Sequence, residues 1–464
     1  MPVPDWVPDA IFYQIFPDRF YNGDPTNDPP NLQPWGAAPT YQDFQGGDLR
    51  GIIQKFDYLI DLGITALYLN PIFTATSNHR YNTHDYYTID PTLGTMEDFR
   101  ALLEIAHKNK IRVILDGVFN HCGRGFFAFN DILENGPHSR YVDWFHIHDY
   151  PIEAYSDGES TSYAAWEGYK DLPKFNTGNS EVRQYIMDVA RYWIEQGIDG
   201  WRLDAPDEID DDSFWGEFRQ VVKTANPDAY TMGEILEVNP RWVGDSHFDG
   251  LMHYPLRWAI LSLISEEMSV SDFIAHQEKY ISLYPPENLQ AMYILLGSHD
   301  TRRLMTKLNG DVNKVKLAFL LQFANPGAPA IYYGDEIGLE GEKDPDNRRA
   351  FPWDESDWNT DLRGYIQKLI SARKRHIALR RGDLKRVYLN NELTTYAFSR
   401  TLENETILMV INPSGETRHL SITVKELGWE DGKTVRDLLT DIHYQVSGEI
   451  VEMSLSPWNG VMVG

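Results

Sequence analysis

Short apolar runs alternate with longer stretches of helical period from the start of the chain to about residue 380. The short runs are rich in Val, Ile, Tyr and Phe, and they stay apolar on both faces, as strands of a buried parallel sheet do. Eight stand out: 10–16 (AIFYQIF), 66–72 (ALYLNPI), 112–119 (RVILDGVF), 200–205 (GWRLDA), 230–235 (YTMGEI), 248–254 (FDGLMHY), 291–298 (AMYILLGS) and 329–336 (PAIYYGDE). Between them, spacings of three and four between apolar positions predict helices, among them 49–63, 96–110, 182–197 and 212–226. Strands each followed by something helical or long make an α/β fold, and eight of them predict a (β/α)8 TIM barrel. A doubly wound open sheet is the alternative, but no glycine-rich phosphate turn follows the first run.

Two intervals break this rhythm. Residues 121–172 are rich in aromatics, His, Gly and Asp, and are too long for a simple connection. They predict a small inserted domain after the third strand, over the barrel mouth. Beyond the helical 362–379, apolar and polar residues alternate with Asn and Gly punctuation through 387–415, as antiparallel hairpins do. The expected organisation is therefore a barrel in two parts, 1–120 and 173–380, the insert 121–172, and a C-terminal antiparallel β-sandwich domain, 381–464.

Chemistry in a parallel barrel sits at the carboxyl ends of the strands. The third run ends in Asp116, Asn120 and His121, the fourth carries Arg202 and Asp204, the fifth ends in Glu234, and the seventh in His299 and Asp300. Residues two apart on a strand share a face, so Arg202 and Asp204 point together, with Trp201 and Leu203 opposite. Three strands thus deliver Asp204, Glu234 and Asp300 to one rim. Burying three carboxylates together is costly unless they are paired or protonated. Cleavage of a glycosidic bond needs such a set: one carboxyl group protonated to assist the leaving oxygen, another ionised to attack or to activate water. Arg202 beside Asp204 favours that residue as the ionised nucleophile. Glu234, with no cation adjacent in sequence, is the natural acid.

The motifs DGVFNH (116–121), GWRLDAPDE (200–208), GEI (233–235) and GSHD (297–300) resemble the four ordered motifs of the α-amylase superfamily, glycoside hydrolase family 13. The resemblance spans essentially the whole chain. It implies Asp204 as nucleophile, Glu234 as general acid/base and Asp300 as transition-state stabiliser, with Arg202, His121 and His299 around the sugar at the cleavage point. It also implies retention of configuration, with nucleophile and acid about 5 Å apart. The stretches 12–29, 79–94 and 332–349 are similar to the neopullulanase, cyclomaltodextrinase and maltogenic amylase group. By that resemblance Tyr81 stacks on the sugar before the scissile bond with His79 beside it, and Asp344 and Arg348 clamp the next sugar out. Trp166, in YAAWEG, is a candidate platform on the leaving-group side.

Two departures from that group matter. Ala205-Pro206-Asp207-Glu208 stands where the group carries Val-Ala-Asn-Glu, so only Glu208 keeps the pattern. The first barrel strand begins near Ala10, so the group's usual N-terminal domain is expected to be missing. A more open cleft and a monomer or weak homo-oligomer follow from that reading. The implied substrates are α-1,4-linked glucans: starch, maltooligosaccharides, cyclodextrins or pullulan. A transglycosylase, an exo-acting α-glucosidase and a catalytically silent glucan-binding protein are the open alternatives.

Composition narrows the partners. Thirteen Trp and 26 Tyr supply flat platforms suited to sugar rings. A net charge of −27 argues against nucleic acid or anionic lipid as the main partner. Cys122 is the single cysteine, so no internal disulfide forms. No basic start leads into an apolar run, and no apolar stretch of about 20 residues is present to span a bilayer, which makes a cytoplasmic protein without membrane contact the expectation. Asn22, Asp24, Asn27 and Asp28 crowd one short loop, and Asp48 lies in Gly-Gly-Asp 46–48. Hard oxygens in two such loops suit structural Ca²⁺. The resembling group binds calcium here, with Gly46 giving its carbonyl. His146/His148 and His121/Cys122 make no convincing zinc site.

Overall fold

A computed structural model describes residues 2–464. Eight strands build the barrel: β1 (Phe12–Ile15), β2 (Ala66–Leu69), β3 (Arg112–Gly117), β4 (Gly200–Leu203), β5 (Tyr230–Gly233), β6 (Gly250–Leu251), β7 (Tyr293–Leu295) and β8 (Ala328–Tyr332). They pair in parallel in the order β6-β5-β4-β3-β2-β1-β8-β7. One parallel bridge, Met252 to Tyr293, spans the remaining gap and closes the ring. Gly250 permits that closure: a Cβ there would stand 2.0 Å from the Ala291 carbonyl oxygen of the chain entering β7. Each strand is shorter than its apolar run.

The two-residue period of the strands sorts side chains between two cores. Phe12, Tyr68, Ile114, Tyr230, Met232 and Tyr293 fill the barrel interior, with Phe12 and Tyr293 rings 5.2 Å apart. Their neighbours Tyr13, Leu67, Leu69, Val113, Leu115, Trp201 and Leu203 face the helices outside. The polar residues follow the inner phase. Gln14 is two on from Phe12, Asp116 two on from Ile114, and Glu234 two on from Met232, so the interior stack ends in a layer of charged and amide groups.

Local signals set the helix limits. Thr95 and Asp98 form a capping box on Met96–Lys108, Asn179 caps Ser180–Gln196, and Asp211 caps Asp212–Ala225. The expected helix 49–63 is two, Leu49–Gln54 and Phe56–Leu62, broken at Lys55. Asp48 caps the first of these through the Gly51 amide at 2.6 Å.

After β3 the chain forms an irregular lobe with one helix, Phe127–Asn135, around Phe126, Phe129, Phe145, Tyr163 and Phe175. Its antiparallel bridges include Phe145 to Phe175 and His121 to Lys174, so its pairing runs a few residues past Leu172. Beyond 381 two four-stranded antiparallel sheets face each other. One holds Asp383–Asn390, Thr395–Leu402, Glu405–Asn412 and Asn459–Val463, and the other Arg418–Thr423, Ile450–Leu455, His443–Ser447 and Thr434–Arg436. Leu408, Val410, Leu420, Ile422 and Val451 meet between them. Among the described residues no helix is long and apolar enough to cross a membrane.

Candidate active site

Arg202 organises the rim. Its side chain is fully buried, and Nη1 donates to Asp116 Oδ1 at 2.9 Å and to Asp204 Oδ1 at 2.8 Å. Nη2 lies 2.7 Å from Glu234 Oε1. One guanidinium therefore holds three carboxylates from β3, β4 and the end of β5. This corrects the sequence argument that told nucleophile from acid by cation adjacency. Glu234, remote from any cation in sequence, meets the same Arg202 across the β4–β5 ladder.

The carboxylates differ in their surroundings. Asp116 is fully enclosed and accepts hydrogen bonds from the Tyr68 hydroxyl at 2.6 Å and the Tyr81 hydroxyl at 2.7 Å. Burial pushes its carboxyl above the usual range, and Arg202 pulls it back. Burial also pushes Asp204 well up, against Arg202, with the charges of Glu234 and Asp116 adding to the rise. For Glu234 burial is again the largest cause, opposed by Arg202 and reinforced by Asp300. Glu234 Oε2 accepts the Ala205 amide at 3.1 Å. Ala205 follows Asp204 directly and is left-handed, with φ +41°, a cost for a residue with a Cβ. That strained turn aims its N–H at Glu234, so the first residue of the divergent tail takes part in the site. At the tail's end, Glu208 pairs with Lys174 at 2.7 Å.

Asp300 stands more open, its side chain 44% exposed against 11% for Asp204 and 16% for Glu234. Its Oδ2 is 3.0 Å from His299 Nε2 and its Oδ1 is 3.5 Å from Arg348 Nη2. Arg348 also reaches Asp344 Oδ1 at 3.1 Å and donates to the His299 carbonyl at 3.0 Å. The Asp344–Arg348 pair is thereby joined to Asp300.

Three histidines line the opening in the neutral form. Burial drives His299 well below the usual imidazole value, and drives His121 and His79 down to about 3. The Gln14 amide meets His299 Nδ1 at 2.9 Å, which leaves the proton on Nε2, facing Asp300 and the Tyr81 hydroxyl oxygen. The Tyr81 and His299 rings lie nearly parallel and meet edge to edge through the Tyr81 hydroxyl, with ring centres 5.2 Å apart and planes within 9°, and the His79 ring centre is 5.9 Å from that of Tyr81. Asn120 Nδ2 meets His121 Nδ1 at 3.3 Å, and His121 Nε2 is buried with no hydrogen-bond partner among the described residues. A buried donor left unpaired invites a ligand oxygen. Trp166 stacks on His121 at 5.5 Å, which brings it to the same mouth.

Sequence reasoning missed the supporting ring of Gln14, Asn70 and Tyr68. Asn70 donates to the Tyr81 hydroxyl oxygen at 2.9 Å and accepts from Gln14 at 3.0 Å. A signal was present: Gln14 and Asn70 are the polar residues inside AIFYQIF and ALYLNPI, and Gln14 falls in the inner phase of its strand.

The two acidic loops near the chain start also meet. Asp48 accepts from the Asp24 amide at 2.8 Å and from Asn27 Nδ2 at 3.5 Å, and Asn22 donates to Asp28 at 2.7 Å. A Cβ on Gly46 would lie 2.6 Å from Asn22 Nδ2 and 2.7 Å from Asp28 Oδ1. Asn22 Oδ1 and Asn27 Oδ1 are buried without a hydrogen-bond partner among the described residues. The Asp24 carboxylate, by contrast, is engaged by Thr26 and by Arg50 at 3.0 Å.

The family of the alpha amylase catalytic domain matches residues 14–377. A cyclomaltodextrinase of Geobacillus thermopakistaniensis is 44% identical over 462 residues, covering 99% of this chain and 77% of the relative. Among solved structures, cyclic α-maltosyl-(1→6)-maltose hydrolase from Arthrobacter globiformis, in complex with that cyclic sugar, superimposes with a TM-score of 0.91 at 39% identity, covering 100% of both chains. A debranching enzyme from Nostoc punctiforme gives a TM-score of 0.89 at 40% identity over 100% of this chain and 99% of that one.

Proposed function

The chain belongs to the α-amylase family of glycoside hydrolases, and from that premise we propose that it cleaves α-1,4-glucosidic bonds by a retaining mechanism at Asp204, Glu234 and Asp300. The observation that carries the assignment is Arg202, whose two terminal nitrogens touch Asp204 and Glu234 at once. Two carboxylates held on one guanidinium fit the close spacing of direct attack on the anomeric carbon, where inverting enzymes leave a gap of about 6.5–9.5 Å for water, and the anomer first released decides between the two.

In this mechanism Asp204 attacks the anomeric carbon while Glu234 gives its proton to the departing glycosidic oxygen. The C–O bond breaks and a glycosyl ester forms on Asp204. Glu234, now ionised, takes a proton from water, which attacks the same carbon and frees Asp204. Asp300 and the Nε2–H of His121 meet hydroxyls of the sugar, His299 holds Asp300 and Tyr81 in place beside it, and Tyr81 carries its apolar face. Arg348 and Asp344 bind the sugar beyond, and Trp166 carries the leaving side.

A fluorinated glucosyl fluoride, which slows breakdown of the ester, is expected to add its glycosyl mass to the Asp204 peptide. The first maltooligosaccharide released is expected to be the α-anomer by NMR. A β-anomer as first product would overturn the retaining assignment.

The relatives named above act, by their names, on cyclodextrins, on a cyclic sugar with a 1→6 link and on branches. Cyclic and branched α-glucans therefore join linear maltooligosaccharides as proposed substrates. Product profiles on cyclodextrin, pullulan and starch, run side by side, rank them.

Calcium is proposed as a structural ion held by Asn22, Asn27, Asp28, Asp48, the Gly46 carbonyl and Asp24. The two orphaned amide oxygens support this, since a hard cation satisfies both; Asp24, with its carboxylate already engaged, is the weakest member. The ion would tie the loop after β1 to the start of the first helix. Chelator is expected to lower the melting temperature by several degrees, because saturating an ion at a hundredfold its Kd adds about 2.7 kcal/mol. In Asn22→Ala that chelator effect should shrink. An unchanged wild-type melting temperature would remove the proposal.

A further inference from the structure

The inserted lobe carries a second concave surface beyond Trp166. Segments 155–159 and 167–171 face each other, with Arg124 beside them, around a cavity of about 480 Å³. That lies within the ~300–1,000 Å³ usual for small-ligand sites. Its walls include two large rings left to solvent, Tyr155 at 73% and Tyr169 at 54% exposure. Tyr169 lies 6.0 Å and 27° from Trp166, and Trp166 lies 5.5 Å and 28° from His121. Near-parallel rings thus lead from the catalytic rim to the cavity.

The walls are fixed in place. The Lys170 ammonium turns inward, donating to Ser156 Oγ at 2.6 Å and to the carbonyls of Ser156 and Asp157 at 3.1 Å. The Ser160 amide bonds the Gly168 carbonyl at 2.9 Å across the two segments. Asp157, Glu159, Glu167 and Asp171 keep their carboxylates free of ion pairs among the described residues, while Arg124 sits 4.5 Å over the Tyr155 ring. With Lys170 spent on the scaffold, the rim is predominantly negative and repels anionic ligands. Carboxylates that accept from hydroxyls, beside flat apolar rings, fit a neutral polyhydroxylated ring.

We propose that this cavity is a remote glucan subsite that holds the far end of a long chain on the leaving-group side, while Trp166 carries the units between. The inference rests on the glycosidase reading above. Tyr155→Ala is expected to raise KM for a long maltooligosaccharide by roughly three- to tenfold, the scale of one lost ring contact. Its kcat should hold, and a glucosyl fluoride, which fills only the site of the cleaved sugar, should be cleaved within about twofold of the wild-type rate. Tyr155→Phe should restore the long-chain KM. An unchanged long-chain KM, or an equal loss on the glucosyl fluoride, overturns the proposal. Calorimetric binding of maltoheptaose in an Asp204→Asn background, with and without Tyr155→Ala, keeps the test separate: if the chain with Asp204 intact turns over no glucan, the glycosidase reading fails, and weaker binding on loss of Tyr155 still upholds the cavity.

Discussion

Glu234→Gln should lose about 10²–10⁴-fold in turnover of maltooligosaccharides, the usual worth of a general acid. The substitution keeps shape and removes the proton that the departing sugar oxygen needs. A substrate with an activated leaving group, such as an aryl or fluoride glucoside, needs no such proton, so its glycosylation step should largely survive. Asp204→Asn should fail on both kinds of substrate, because nothing remains to attack the anomeric carbon. That contrast separates the two roles, which contact with Arg202 alone does not. The pH profile gives a second readout. Burial and Asp300 raise Glu234 above the ordinary carboxylate range, so the alkaline limb set by its deprotonation should lie above that range. The limb should vanish in Glu234→Gln. Near wild-type cleavage of maltooligosaccharides by that variant would remove Glu234 from the mechanism.

The barrel was legible because its strands are buried on both faces and interrupted by residues of one kind. Inside AIFYQIF and RVILDGVF the polar Gln14 and Asp116 break the apolar run on the inner phase, two positions beyond Phe12 and Ile114. A polar residue at such a position marks the top of the barrel within the sequence itself. The pairing across strands was not legible. Arg202 is two residues from Asp204 and 32 from Glu234 along the chain, and only the parallel register of β4 and β5 makes them neighbours. The left-handed turn at Ala205 escaped as well, since nothing in Ala-Pro-Asp-Glu announces positive φ at an alanine. Its N–H donates a hydrogen bond to Glu234, which ties part of that divergent tail to the carboxylate layer. The lobe after β3 was visible as an interval too long and too aromatic for a connection. Its ring row from His121 through Trp166 to Tyr169 arises from isolated bridges that have no period to read.

Arg202→Leu carries the largest expected cost in stability. The guanidinium is fully buried and touches Asp116, Asp204 and Glu234, so its removal strands three carboxylates inside the barrel. Breaking a buried pair from one side costs about 3–5 kcal/mol, and this one serves three partners. The loss should depend on pH in a determined sense. All three carboxyl groups already bind their protons more tightly in the folded chain than the ordinary 3.8 for Asp or 4.5 for Glu. A group with a raised folded value favours the native state in acid and gives up that advantage as pH climbs through the folded value. Without Arg202, which lowers all three, the folded values rise further and the window widens. Urea unfolding should therefore show a modest deficit near pH 4.5 that grows toward pH 7. Adding Asp116→Asn to the variant should recover part of the neutral-pH loss, because Asp116 is the most enclosed of the three. A deficit equal at both pH values would mean that Arg202 stabilises by packing alone, and its place as the counter-charge of the catalytic layer would fall.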